Sequence, residues 1–234
     1  MAEPFRLNVE NRSISGLIHL PSNHKPPCVI TCHGLFSSKE SDKFISIADY
    51  FTQRGIAVLR FDFGGCGESS GSFAETTVSG RLRDLAEVVA FARQHPLLAS
   101  RLGLLGSSLG GFLSLLYAAQ DPAIRALSVW ATPLSLHELR YNIPAEQVAA
   151  LKEDFFIDAQ TYNLAPILST IKNIQIIHGG KDAIVPCLHA EEIFKHVTGP
   201  KELKIIPQGD HSLTDVNGRQ RALALSCRWF QNHL

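Results

Sequence analysis

The sequence has no surplus of either charge: Lys plus Arg and Asp plus Glu number 22 each in 234 residues. With no net field and no basic run, nothing attracts a polyanion, and nucleic acid is excluded as an expected partner. An uncharged, apolar substrate fits this balance better. A disulfide framework is also missing. The five cysteines, Cys28, Cys32, Cys66, Cys187 and Cys227, are odd in number and scattered, with no Cys-x-x-Cys pair. That pattern suits a reducing compartment, and a cytoplasmic location is expected. Residues 1–10 carry Glu3, Arg6 and Glu10 and no apolar stretch, so no secretory signal peptide is expected. One uncharged run, 102–120, approaches membrane-span length, but Gly103, Gly106, Gly110, Gly111 and the pair Ser107-Ser108 interrupt it. It reads as a buried strand turning into a buried helix, with no membrane span. Internal repeats and linker composition are absent, and one domain over 1–234 is the expectation.

What is present is an alternation of short β-rich runs with amphipathic helices, the pattern of a mostly parallel sheet covered on both faces. Residues 5–10 and 13–20 come first without a helix between them and predict an antiparallel edge hairpin turning at Asn11-Arg12. Strands are then expected at 28–33, 56–63, 101–106, 124–131, 174–178 and 203–206. Helices are expected at 42–54, 78–94, 109–120, 188–197 and 216–233, the last burying Val216, Leu223, Cys227 and Phe230. Residues 132–171 break the rhythm, with Pro133, Pro144 and Pro166 among short helical pieces, and read as a cap inserted in the domain.

The chemistry centres on Gly106-Ser107-Ser108-Leu109-Gly110, a G-x-S-x-G pentapeptide lying between a predicted strand and a predicted helix. A turn of this kind strains the serine backbone and exposes its hydroxyl, and glycines two residues to either side make room for it. Ser108 is the expected nucleophile. Its hydroxyl needs a base, and of the ten histidines His211 is the best placed, after the last strand and before the final helix. His33, His178, His189, His196 and His137 read as structural. Asp182, in Gly179-Gly180-Lys181-Asp182 after the preceding strand, is the expected acid that would hold the His211 tautomer. Asp210 is the rival, too close along the chain to reach round to the ring. Backbone N–H groups of Leu35, after the third strand, and Leu109, after the serine, are the expected oxyanion donors.

Other motifs fail in detail. Gly65-x-Gly67 would need a third glycine at 70, where Ser70 stands, and no Gly-x-x-x-x-Gly-Lys-Ser/Thr loop occurs. No cofactor or metal is implied. Cys28 and Cys32 read as core, and Cys66 as packing, since no cationic neighbour is evident to lower its pKa. Leu134, Leu136, Leu139, Tyr141, Ile143, Phe155, Phe156 and Tyr162 in the cap either line an apolar acyl or aryl pocket or pack the cap onto the core. Substrate contacts are expected from Phe36, Tyr141, Phe155, Phe156 and Val185.

Together these features resemble the α/β-hydrolase superfamily over nearly the whole chain. They are similar in particular to small bacterial esterases of the cinnamoyl/feruloyl esterase-like group. The resemblance rests on His33-Gly34-Leu35, Arg60-Phe61-Asp62-Phe63, Gly65-Cys66-Gly67-Glu68-Ser69, the elbow with Gly111, His178 to Asp182 with Val185-Pro186, and Gly209-Asp210-His211. It implies an α/β-hydrolase fold with an eight-stranded sheet, and a serine esterase acting on small to medium acyl or aryl esters under a short cap. Two departures stand out: Cys66 replaces a histidine or larger residue, and Ser107 stands where that group often has histidine or tyrosine. A serine at the elbow counts against dienelactone hydrolases, which use cysteine, and haloalkane dehalogenases, which use aspartate. Peptidase, thioesterase and acyltransferase activity with the same residues stay open, as does a non-catalytic binding protein. A monomer or homodimer is expected.

Overall fold

The computed structural model describes residues 2–234. Strands β1 (Ala2–Val9) and β2 (Arg12–His19) form the antiparallel hairpin. Val9 pairs with Arg12, so the two-residue turn is Glu10-Asn11, one position before that expected, and Glu10 takes the positive φ of 53° that the tight reversal demands. The remaining strands are β3 (Cys28–Cys32), β4 (Ala57–Phe61), β5 (Leu102–Ser107), β6 (Ile124–Trp130), β7 (Ile174–Gly179) and β8 (Lys201–Ile206). Sheet order is β1-β2-β4-β3-β5-β6-β7-β8, with β2 antiparallel to β4 and every pairing beyond it parallel. The order reverses direction at β3, so the loops after β3 and β5 open side by side at the carboxyl edge of the sheet, where such folds bind ligands.

Alternation in the central strands explains the two-faced core. Cys28, Ile30 and Cys32 of β3 and Leu104 of β5 point into one apolar cluster, while Val29 and Leu105 point into the other. The second cluster is closed by α1 (Asp42–Thr52) and α8 (Val216–His233). Helix α1 buries Phe44, Ile47, Ala48 and Phe51, as its spacing predicts. In α8, Leu223, Cys227 and Phe230 are buried, but Val216 is 69% exposed. Val216 directly follows the N-cap, where Asp215 accepts from Gly218 N at 2.6 Å, and stands at the open end of the helix. The first cluster is closed by α2 (Val78–Gln94), α3 (Leu109–Gln120) and α7 (Leu188–His196). The uncharged run 102–120 is thus β5 followed by α3. Among the described residues no helix is long and apolar enough to cross a membrane.

Residues 132–171 hold three short α-helices, α4 (Leu139–Asn142), α5 (Ala145–Ala149) and α6 (Glu153–Ala159), and a 3-10 turn at Leu168–Thr170. Leu136, Leu151, Phe155, Phe156, Ala159, Leu164 and Leu168 bury themselves in the first cluster. Polar bonds add a second attachment: Asp158 accepts from Ser79 N at 2.8 Å and from Ser79 Oγ, which also meets Tyr162 Oη at 2.7 Å.

A buried ionic knot braces the neighbouring loops. Lys39, 1% exposed at its side chain, bonds Asp62 at 2.9 Å and Glu68 at 2.7 Å, and Asp62 also accepts the backbone N–H of Lys39 and Glu68. A buried ammonium is tolerable only when so paired.

Candidate active site

Ser108 stands between β5 and α3 with φ 55° and ψ −124°, a conformation that L-residues rarely adopt. Its N–H donates to Trp130 O at 2.8 Å, and its carbonyl accepts from Gly111 N and Phe112 N, so the strained turn is pinned on both sides. The flanking glycines are sterically required. A Cβ on Gly106 would sit 2.3 Å from Gly110 O, and one on Gly110 would sit 2.0 Å from Cys32 O.

Asp182 follows β7 and His211 follows β8. The Asp182 side chain is fully buried. Its Oδ1 accepts the N–H of Ile184 at 2.9 Å and of Val185 at 2.8 Å, and its Oδ2 lies 2.8 Å from His211 Nδ1. Burial works against ionisation, but the bonds from His178 and His211, the His211 charge and the Val185 N–H outweigh it and hold the carboxyl well below the ordinary carboxylate range. An ionised carboxylate only accepts, so His211 Nδ1 carries the proton and its Nε2 lone pair is free to act as a base. Asp210 instead turns to Thr214, accepting its N–H at 2.8 Å.

His178 does more than pack the strand: its Nε2 lies 2.8 Å from Val185 O and 3.3 Å from Asp182 Oδ2, so Asp182 is braced by two histidines. His33 is structural in detail. Its Nε2 accepts from Phe63 N at 3.0 Å, which leaves Nδ1–H to donate to Gly34 O at 2.8 Å, and burial lowers its pKa to about 3, so it stays neutral. Arg81 donates to Leu35 O at 3.1 Å. With the carbonyls of Gly34 and Leu35 engaged behind the loop, no acceptor among the described residues meets the N–H of Leu35, nor that of Leu109 at the start of α3.

Ser108, His211, Leu35 and Phe36 share the wall of one cavity of about 370 Å³. The other expected contacts do not reach it. Tyr141 is 81% exposed, Phe155 and Phe156 are buried in the core stacked edge to face, and Val185 is buried behind Asp182. Of the apolar residues in 132–171, Leu139 and Ile143 line the cavity, joined by Gln147. Aromatic character alone marks burial and contact equally, which is why these positions could not be sorted before folding. Cys66 is corrected as well. Arg81 Nη2 lies 3.3 Å from its sulfur, a cationic neighbour that sequence distance hid, although burial still pushes the thiol up.

The two cationic wall residues went unnoticed in the sequence. Lys43 of α1 lines the cavity, and its Nζ donates to Ser107 Oγ at 2.8 Å; Arg219 of α8 lines it too. Arg219 sits eight residues after His211, a proximity that could have drawn attention to it. Lys43 precedes the buried stripe of α1 and carries no such signal.

A mostly parallel sheet with a strained serine at the end of β5, and an ionised acid and a histidine after β7 and β8, is the arrangement of the hydrolase class of α/β proteins. The chain belongs to the alpha/beta hydrolase fold family, whose model matches residues 27–169, a span that includes Ser108 but neither Asp182 nor His211. It is similar to mouse mitochondrial palmitoyl-protein thioesterase ABHD10, 26% identical over 235 residues covering 89% of this chain and 77% of that one. Two solved structures superpose closely. Est1E from Butyrivibrio proteoclasticus with bound ferulic acid gives a TM-score of 0.85 at 21% identity, over 97% of this chain and 96% of that one. Mouse alpha/beta hydrolase domain-containing protein 10 gives 0.82 at 22%, over 98% and 99%. The fold is that expected, and the family is one of hydrolases.

Proposed function

We propose that the chain is a serine esterase that cleaves carboxylic esters through an acyl-enzyme on Ser108. The observation that carries this reading is the buried, ionised Asp182 bonded at 2.8 Å to His211, which lines the same cavity as the strained Ser108. His211 Nε2 takes the Ser108 Oγ proton as the oxygen attacks the acyl carbon. The carbonyl π pair moves to oxygen, and the N–H groups of Leu35 and Leu109, at the positive end of α3, receive the resulting oxyanion. Collapse breaks the bond to the leaving oxygen, which takes the proton from His211. Water then repeats the sequence, giving its proton to His211 and releasing the acid and free Ser108. Residues 132–171 act as a cap within the single domain, and Phe36, Leu139 and Ile143 supply the apolar contacts.

A panel of chromogenic esters of increasing acyl length, run on wild type and Ser108→Ala, tests the proposal. Turnover should fall by several orders of magnitude in the variant; equal turnover would refute the mechanism. The similarity to a palmitoyl-protein thioesterase favours a second reading, thioester cleavage by the same residues. Matched thioesters and esters separate the two, and amides test peptidase activity.

A further inference from the structure

The chain is neutral overall, yet the charge inside the cavity is not balanced. Its wall holds three formally charged side chains, Asp42, Lys43 and Arg219. Lys43 spends one of its three donors on Ser107 Oγ at 2.8 Å, and Arg219 gives its Nε–H to Leu213 O at 2.9 Å. Neither cation is ion-paired with a carboxylate among the described residues. The acids that face Lys43 are already engaged: Asp182 by His178, His211 and two backbone N–H groups, and Asp210 by Thr214. Asp42, at the start of α1, is exposed to solvent. The wall therefore carries two cations against one anion.

Resting on the esterase reading, the geometry points to a monoanionic substrate: an ester that bears a free carboxylate, held by the Lys43 ammonium and the unused Nη donors of Arg219 while its ester carbonyl meets Ser108. A single negative charge neutralises the wall, whereas a dianion would overcompensate it beside Asp42. Guanidinium matches a carboxylate in two-point geometry. A cavity of about 370 Å³ is large enough to hold both ends of a small acid ester at once. Burial, then the Arg219 charge, draw the Lys43 pKa down to about 8 against the pull of Asp210 and Asp182, the behaviour of an ammonium lacking a counter-ion. Both cations are positioning residues for the substrate and take no part in bond making.

Two substrate pairs locate the anion. 4-Nitrophenyl hydrogen adipate against 4-nitrophenyl hexanoate places a carboxylate on the acyl side, and 3-acetoxybenzoate against 3-carbamoylphenyl acetate places it on the leaving group. Wild type should favour the acid of one pair by about tenfold or more in kcat/KM, the range expected of hydrogen bonds to charged groups. Lys43→Met and Arg219→Gln should each lower that acid-to-neutral ratio about tenfold, chiefly through KM, and Lys43→Arg should restore it. Because the ratio is internal to each protein, a partly unfolded variant does not distort it. Preference for the neutral member of both pairs, or a ratio unchanged in both variants, overturns the proposal. If no ester is turned over in a Ser108-dependent way, the esterase reading fails separately. Calorimetry of monomethyl adipate on Ser108→Ala then decides: binding that Lys43→Met abolishes upholds the anion site, and no binding removes it.

Discussion

Replacing Ser108 by glycine should abolish activity and raise stability. The serine is held at φ 55° and ψ −124°, the mirror image of an ordinary extended conformation and therefore one that glycine adopts freely. Holding an L-residue there costs on the order of 1–3 kcal/mol. Glycine returns that strain but adds about 0.4–1 kcal/mol of unfolded-chain entropy. The backbone bonds of residue 108, to Trp130 O and from Gly111 and Phe112, survive the change because none involves the side chain. The net gain is at most about 2.6 kcal/mol and centres on about 1 kcal/mol, which for a chain of 234 residues raises Tm by roughly 2–4 °C at the centre of the range. Ser108→Ala is the control, since it removes the hydroxyl yet keeps the Cβ and the strain. Thermal and urea denaturation of the three proteins measure the difference. A Ser108→Gly protein no more stable than Ser108→Ala would refute the claim that the turn stores backbone strain.

Breaking the knot at Asp62 should be severe: Asp62→Ala leaves the buried Lys39 ammonium only Glu68 and the more distant Glu40 and should cost about 3–5 kcal/mol in urea unfolding. Gly110→Ala forces a Cβ to within 2.0 Å of Cys32 O, so the junction of β3 and α3 must shift; a loss of at least about 1–3 kcal/mol is expected by the same assay. For Asp182 the folded carboxyl lies below its unfolded value of about 3.9, so it stabilises the fold above that pH and ceases to as pH falls through the folded value. Asp182→Asn should accordingly be destabilised at pH 7, with the gap to wild type narrowing below about pH 4; a gap constant with pH would contradict an ionised Asp182. For Lys43, any preference for acid over neutral ester should weaken as pH rises through about 8, where the ammonium is lost, read from kcat/KM ratios between pH 6.5 and 9.5.

Much of the fold was visible in local pattern. The spacing of Phe44, Ile47, Ala48 and Phe51 specified both the existence of α1 and its buried face, because a 3.6-residue period leaves one solution against a sheet. The start of α3 followed from the elbow serine, a signal carried by a single residue. Errors gathered at element ends. The hairpin turn moved by one residue because register, set by pairing along the whole ladder from Ala2↔His19 to Val9↔Arg12, overrode the local turn signal. Val216 was misjudged because the period says which way a side chain faces but not whether packed surface extends as far as the helix end.

The sequence by itself determined the order of the strands and helices, the elbow at Ser108, and the places of Asp182 and His211 in the loops after β7 and β8, since each depends on neighbours within a few residues. Tertiary structure alone decided that Asp182 is braced by a second histidine, His178, that Cys66 meets Arg81, and that Leu139 and Ile143 reach the cavity while Phe155 and Phe156 fill the core. It also decided that a chain of zero net charge encloses a cavity with two cations in its wall. Net charge is a sum over the whole surface, whereas the field in a cavity comes from the few side chains that chain folding brings there, Lys43 and Arg219 arriving from helices far apart in the sequence.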